Sequence, residues 1–385
     1  MINRKIPLSW LQLTREKNRL LVAMAGIAFA DILMFMQLGF QAALYDSSTL
    51  VHQKLRGDLV LTSPQARNLT YLDTFPRRRL YQVMNLPGVE SAEAVYSNFV
   101  DWKHPQTRRK TSLLVFGFDP TKAVFNIPEV NRNLDELKLS DRVLFDQGSL
   151  GDYQSVINQV NQAKAVTTEI ADRKINIVGL FKIGSSFGAD GNLITSDLNF
   201  RRIFPRHQAE SVSLGLISLK PGTDPQLAAK MLQASLPNDV KVRTHQEFIE
   251  FEKAYWQKTT PIGFIFTLGS MMGFVVGVII VYQILYTDVS DHMAEYATLK
   301  AMGYKNLYLL GVVFQEALIL AVLGYIPGIA LSTGLYALTR GATNLPLFMT
   351  ALRAIQVLVL TIVMCGISGA IAMRKLQSAD PADIF

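Results

Sequence analysis

The chain has 385 residues, a net charge of +7 and a hydrophobic content of 49%, totals that would suit a large soluble enzyme. The distribution excludes that reading: the apolar residues gather in one N-terminal block and three C-terminal ones. A single cysteine, Cys365, excludes an internal disulfide and any metal site built on several cysteines.

In chain order, residues 1–19 come first. "PLSWLQLTREK" sets Trp10 and leucines beside charges, which suits a short interfacial helix at headgroup level or a plain linker. The first apolar block, Leu20–Leu44, is long enough to span a bilayer, which takes about 20 residues. It has a basic start and an A-x-A at Ala28–Ala30, as a cleaved signal would. Its apolar character continues past that point, so it reads as an uncleaved anchor. Asp31 lies near its middle. A carboxylate there costs about 3 kcal/mol on insertion scales, so it is expected to face protein or water, in a functional or a structural role.

Residues 45–260 are polar and read as an extramembrane α+β region. Strands are expected at "GDLVLTS", "ESAEAVYSNFVDW", "KTSLLVFGFD", "SVSLGLISLK" and "DVKVRT". Helices are expected at "PRRRLYQVMNLPGV", "DPQLAAKMLQASL" and "HQEFIEFEKAYWQK". These give βαββ and βαβα segments, an α+β part over about 55–120 and 210–258. Residues 121–209 read as a separate, inserted, β-rich part. "GSSFGADG" (Gly184–Gly191) is followed by the strand-like "NLIT" rather than a helix, so it reads as a loop and not a phosphate cradle. No Walker-type loop, H-E-x-x-H or nucleophile elbow occurs, and no basic patch is interleaved with aromatics. The pattern points to a chain without catalysis, cofactor, metal site or nucleic-acid partner.

The remaining spans are expected over 261–287, 307–338 and 354–373, with a short outer loop at 339–353 and a tail at 374–385. Arg4, Lys5, Arg15, Lys17, Arg19, Lys300, Lys305, Arg374 and Lys375 fall on one side of a four-span topology. By the positive-inside rule both termini are cytoplasmic and the large domain is outside. Gly269, Gly273 and Gly277, four apart, form a stripe that predicts a close helix contact, either between two copies or against the first span. Pro327 and Gly328 predict a kink. Glu316 is expected at the cytoplasmic interface, because the third apolar stretch is longer than a bilayer needs. Cys365 reads as a packing residue.

Between the second and third spans lies "DVSDHMAEYATLKAMGYKN" (288–306). Met293, Tyr296, Leu299 and Met302 form an apolar row on a helix. Asp291 and Glu295 at its start, with Lys300 and Lys305 at its end, complement the helix dipole, and Gly303 terminates it. Such a helix rests on lipid or enters a partner's groove.

The run Glu295–Gly303, "EYATLKAMG", resembles the "EIAVLRALG" coupling helix of FtsX/MacB-type ABC transporter permeases, departing at Tyr296 and Thr298. "GIAFADILMFMQLGFQAALYDSS", "GDLVLTSP", "FGADGNLITSDLNFRRIF" and "ADPADIF" resemble the DevC permeases of cyanobacteria. The resemblance implies a membrane protein of four spans with a MacB-like α+β periplasmic domain between the first two. It implies a homodimer in the inner membrane, in contact with membrane lipids. It also implies a separate DevA-like ATPase subunit that binds the ATP, a DevB-like periplasmic adaptor and, indirectly, a TolC-like outer-membrane channel. Export of a glycolipid by mechanotransmission follows from it. The alternatives are an FtsX-like regulator of a periplasmic hydrolase and a lipoprotein-releasing permease.

Overall fold

The computed structural model describes residues 17–170, 173–208 and 210–378. The expected interfacial segment at 1–16, with Trp10, and the tail from 379 lie outside these residues. The chain divides into two units. One is helical over its described residues, 17–43, 262–342 and 347–378. The other is α/β: Leu44–Pro261 with Thr343–Pro346.

In chain order the elements are α1 Lys17–Ser48, α2 Leu50–Lys54, β1 Leu59–Thr62, β2 Phe75–Pro76, α3 Arg78–Met84, β3 Val89–Lys103 and β4 Lys110–Phe118. Then come α4 Pro128–Arg132, α5 Leu134–Leu137, β5 Arg142–Asp146, α6 Gln154–Asn161, β6 Val166–Ile170, β7 Arg173–Phe181, β8 Asn192–Ser196 and α7 Asp197–Ile203. The rest are β9 Ser211–Val212, β10 Leu214–Leu219, α8 Pro225–Ser235, β11 Lys241–Thr244, α9 His245–Ala254, a π-helical turn Tyr255–Thr259, α10 Pro261–Asp291, α11 Met293–Ala301, α12 Asn306–Thr343 and α13 Ala351–Ser378.

The α/β unit is built on one nine-stranded sheet, ordered β11-β1-β10-β3-β4-β8-β5-β7-β6. This corrects the expectation of a separate β-rich part at 121–209. Its strands continue the same sheet, because β8 pairs in parallel with β4 from Leu114↔Asn192 to Phe118↔Ser196. The physical reason lies in burial. Leu113 and Val115 of β4 enter one apolar core, while Leu114, Phe116 and Phe118 enter the other. A strand buried on both faces cannot leave an edge of amide groups unpaired. The same two-sided burial explains why "LVLT" of β1 is apolar without alternation and buried throughout. At the far end, Arg108 and Lys103 of the β3–β4 hairpin reach Glu169 of β6 (2.8 Å each). Their hydrogen bonds pull the Glu169 carboxyl down to about 2.

Two buried carboxylates organise the loops. Asp146, at the end of β5, accepts from Gly148 N (2.9 Å), Ile183 N (3.1 Å), Gly184 N (2.9 Å) and Asn192 Nδ2 (2.8 Å). Gly184 has φ +110, and a Cβ on Gly148 would stand 2.7 Å from the Gly184 Cα. Glycine is therefore required where these two turns meet. The segment 184–191 is a loop fixed from below by Asp146. Glu252 of α9 accepts from Leu69 N (2.7 Å) and Trp256 Nε1 (2.8 Å), and lies 3.3 Å from His52 Nε2. One buried side chain thus joins α2, the loop after β1 and the turn before α10.

Among the described residues, four helices are long and apolar enough to cross a membrane: Lys17–Ser48, Pro261–Asp291, Leu307–Thr343 and Ala351–Met373. Pro261 opens α10, where its missing N–H costs nothing. The fold is that of a membrane protein with a large α/β domain between its first and second spans.

The Asp146 cluster yields a test. Asp146→Ala strands three backbone N–H groups and leaves the Asn192 amide only its bond to the Gly184 carbonyl, and an unmet buried donor costs about 1–3 kcal/mol. The variant is expected to lower the melting temperature of the detergent-solubilised chain and open the 184–191 loop to protease. Wild-type melting and protection would show that the loop holds itself.

Candidate functional site

The nine residues of α11 stand between two spans and belong to neither. His292 breaks the preceding helix, and Gly303 at φ +91 ends α11. Gly303 N donates to the Lys300 carbonyl (3.0 Å) and Tyr304 N to the Leu299 carbonyl (3.1 Å). This is a Schellman cap, which only a left-handed residue at that position allows.

The apolar row expected on α11 does not face outward as a unit. Tyr296 is fully buried in a cluster with Val289, Leu309, Val313 and Met373, and Met293 and Leu299 pack against the same cluster. Only Met302 of the row is exposed, at 64%. The correction has a simple cause. A short helix gains little stability alone and must be anchored, and an apolar ridge meets the nearest apolar surface, here its own spans. The exposed face carries Glu295, Thr298, Ala301 and Met302, followed by Tyr304 and Lys305; Lys300 is half-buried. The two departures from the family pattern are both accommodated. Tyr296 fills the inner cluster, and the Thr298 hydroxyl donates to the Ala294 carbonyl (2.8 Å).

Asp291 also differs from expectation. It is the last residue of α10 rather than the first of α11, and it accepts from Arg19 Nη2 at 2.8 Å. Arg19 Nη1 lies 3.5 Å from Asp288, which also lies 3.7 Å from His292 Nδ1. Glu316 of α12, expected at the interface, is fully buried beside Asp288 and Arg19. Sequence reasoning placed Arg19 only as a topogenic charge and set Glu316 aside. The usable signal was a carboxylate inside "VVFQEALIL" with a basic residue at the matching end of the first span.

The glycine stripe meets the first span of the same chain. A Cβ on Gly273 would stand 3.2 Å from Leu33 Cβ, and one on Gly277 would stand 2.8 Å from Ala30 Cβ. Gly269 faces Gln37. On α12, a Cβ on Gly324 would come within 2.6 Å of Ile27 Cβ, and one on Gly328 within 2.9 Å of Asp31 Cβ. Helix α12 runs on through Pro327, and Gly328 serves the contact with α1. Asp31 is fully buried, and Thr361 of α13 donates to its Oδ1 at 2.6 Å. The Tyr336 hydroxyl donates to the Phe35 carbonyl. Cys365 is buried in the same bundle. Among the described residues, no group of three or more His, Cys, Asp or Glu side chains could hold a metal ion.

Residues 267–381, which contain α11 and most of the three spans around it, match the family model described as FtsX-like permease C-terminal. No curated protein matches the chain. Among solved structures, the chain is similar to the periplasmic region of MacB from Actinobacillus actinomycetemcomitans. The identity is 9%, over 52% of this chain and 94% of that one, with a TM-score of 0.35. It is also similar to the extracellular domain of the noncanonic ABC-type transporter YknZ from Gram-positive bacteria. There the identity is 11%, over 49% of this chain and all of that one, with a TM-score of 0.33.

Two outcomes are expected of the bundle. Gly273→Leu forces side-chain volume against Leu33 and Met34, and overpacking costs about 1–3 kcal/mol. The purified variant should melt earlier than wild type; unchanged melting would mean that the contact is loose. Asp31→Leu and Thr361→Val should show a coupling energy of about 0.6 kcal/mol in a double-mutant cycle, the average for hydrogen bonds between membrane helices. Strict additivity would remove the bond from the account.

Proposed function

We propose that the chain, whose residues 267–381 carry an FtsX-like permease C-terminal domain, is the membrane subunit of an ABC-type exporter driven by a separate ATPase. The observation that carries this reading is α11: a capped helix, anchored by Tyr296 to the spans on either side, with a polar outer face. A helix so anchored moves together with its spans. A partner that rotates it therefore moves α10 and α12, and through the chain the α/β domain between α1 and α10. That is mechanotransmission, and it needs no passage through the permease itself.

The finer parts of the proposal follow the sequence resemblance. The termini and α11 are cytoplasmic, as the basic residues at these segments support. Two copies pair, each with a DevA-like ATPase. The α/β domain lies in the periplasm and meets a DevB-like adaptor leading to a TolC-like channel, and the cargo is a glycolipid. The glycine stripe is occupied by α1 of the same chain, so pairing of two copies uses other faces of the bundle.

Docking falls to Glu295, Thr298, Ala301, Met302 and Tyr304 rather than to the whole apolar row. Burying a side chain such as Met302 is worth roughly 1.5–3 kcal/mol, which is about tenfold or more in affinity. Glu295→Lys with Met302→Asp is expected to abolish copurification of the ATPase while the permease still inserts. Tyr296→Ala should instead destabilise the permease, because it empties the inner cluster. Unchanged binding of the ATPase to the double variant would overturn the coupling role of α11.

A further inference from the structure

Two aromatic side chains of the α/β unit are held out into solvent at the tips of tight turns: Tyr71, 65% exposed, and Phe187, 47% exposed. Neither turn is loose. Tyr71 N donates to Asn68 Oδ1 (2.9 Å), and Arg67 N donates to the Tyr71 carbonyl (2.9 Å). Around Phe187, Ser186 N donates to the Ala189 carbonyl (2.9 Å), and Ser186 Oγ accepts from Gly188 N and Ala189 N (3.2 Å each). The two turns touch each other and Trp256. A Cβ on Gly188 would lie 2.8 Å from Thr70 Cγ2 and 3.7 Å from Trp256 Cζ2, and the Phe187 and Trp256 rings are 6.4 Å apart.

The place of this patch along the chain is what identifies its partner. Trp256 stands five residues before Pro261, where the second span helix opens, so even a fully extended connection reaches roughly 18 Å at most. Ser47 and Ser48, the end of the first span helix, border the same small cleft as Thr70, Gly188 and Trp256. Both covalent connections to the membrane thus leave the domain at this patch. Exposed cations lie on the same segments, Arg67 in the Tyr71 loop and Lys258 in the turn of Trp256. Aromatic rings with basic neighbours at the end of a span are the pattern of a membrane–water interface. Burying a ring costs little entropy when its turn is already fixed.

We propose that Tyr71 and Phe187, backed by the buried Trp256, sit in the lipid headgroup region of the leaflet from which the domain emerges, as a lipid-binding rim on the α/β unit. The partner is the bilayer surface itself, with anionic headgroups favoured by Arg67 and Lys258. The inference requires only that the spans cross a membrane, and it stands whether or not an ATPase docks on α11.

Cys365 is the sole cysteine, so Cys365→Ala gives a background for single-site labels. Nitroxides would be placed at Tyr71→Cys, Phe187→Cys and, as a control, Leu198→Cys. Leu198 is 63% exposed and lies past the far end of β8, whose four steps from Asn192 span about 13 Å. The full chain would be reconstituted in vesicles of phosphatidylethanolamine and phosphatidylglycerol. The labels at 71 and 187 are expected to collide more with oxygen and less with an aqueous nickel chelate than the label at 198. Equal chelate access at all three sites would overturn the proposal. Protection of 71 and 187 that appears only after another protein is added would also overturn it, in favour of a protein-docking surface. Phe187→Trp, which keeps the aromatic ring, guards against a misfolded cysteine variant. Lipids brominated just below the headgroup should quench its added emission, and absence of that quenching counts against the proposal equally.

Discussion

Helices in a bilayer gain nothing from merely being apolar, because lipid is as apolar as they are, so close backbone approach must hold them together. In this chain that requirement falls on α1. Glycines of α10 and α12 leave room for Ala30, Leu33 and Ile27, while Thr361 of α13 bonds Asp31. A lone carboxylate in the apolar part of a span would be expensive against lipid. Buried between α12, which approaches it at Gly328, and α13, which bonds it through Thr361, it becomes a reason for these helices to stay in register.

That register carries through to the end of α1, where Arg19 meets Asp288 and Asp291 beside α11. A displacement of α11 pulls on the end of α10, and Arg19 ties that end to the central helix. The first span is in this way tied to each of the other three.

The α/β unit meets the same demand by other means. A sheet buried on both faces, with loops fixed by Asp146 and Glu252, has few soft places. Glu252 is close in sequence to α10, and its neighbour His52 is close to the C-terminal end of α1, so the two segments that lead to the spans lie side by side within the domain.

The four spans, the cap at Gly303, the hairpin of β3 and β4 and the closeness implied by the glycine stripe were all legible in the sequence. Each rests on a local rule: hydrocarbon thickness, the left-handed preference of glycine, alternation along a strand, or the small size of a side chain. What the sequence left open was always a choice between equivalent surfaces. The stripe suits a second copy as well as α1. The apolar row of α11 suits a partner as well as its own spans. The edge of β4 offers the same amide groups whether β8 pairs with it or the insertion folds apart. Periodicity records that a face is apolar or an edge unpaired, but not what covers it, because hydrophobic contact and backbone hydrogen bonding are nearly indifferent to the identity of the partner. Only the folded chain, which brings Leu33 to Gly273, Val313 to Tyr296 and Asn192 to Leu114, decided those pairings.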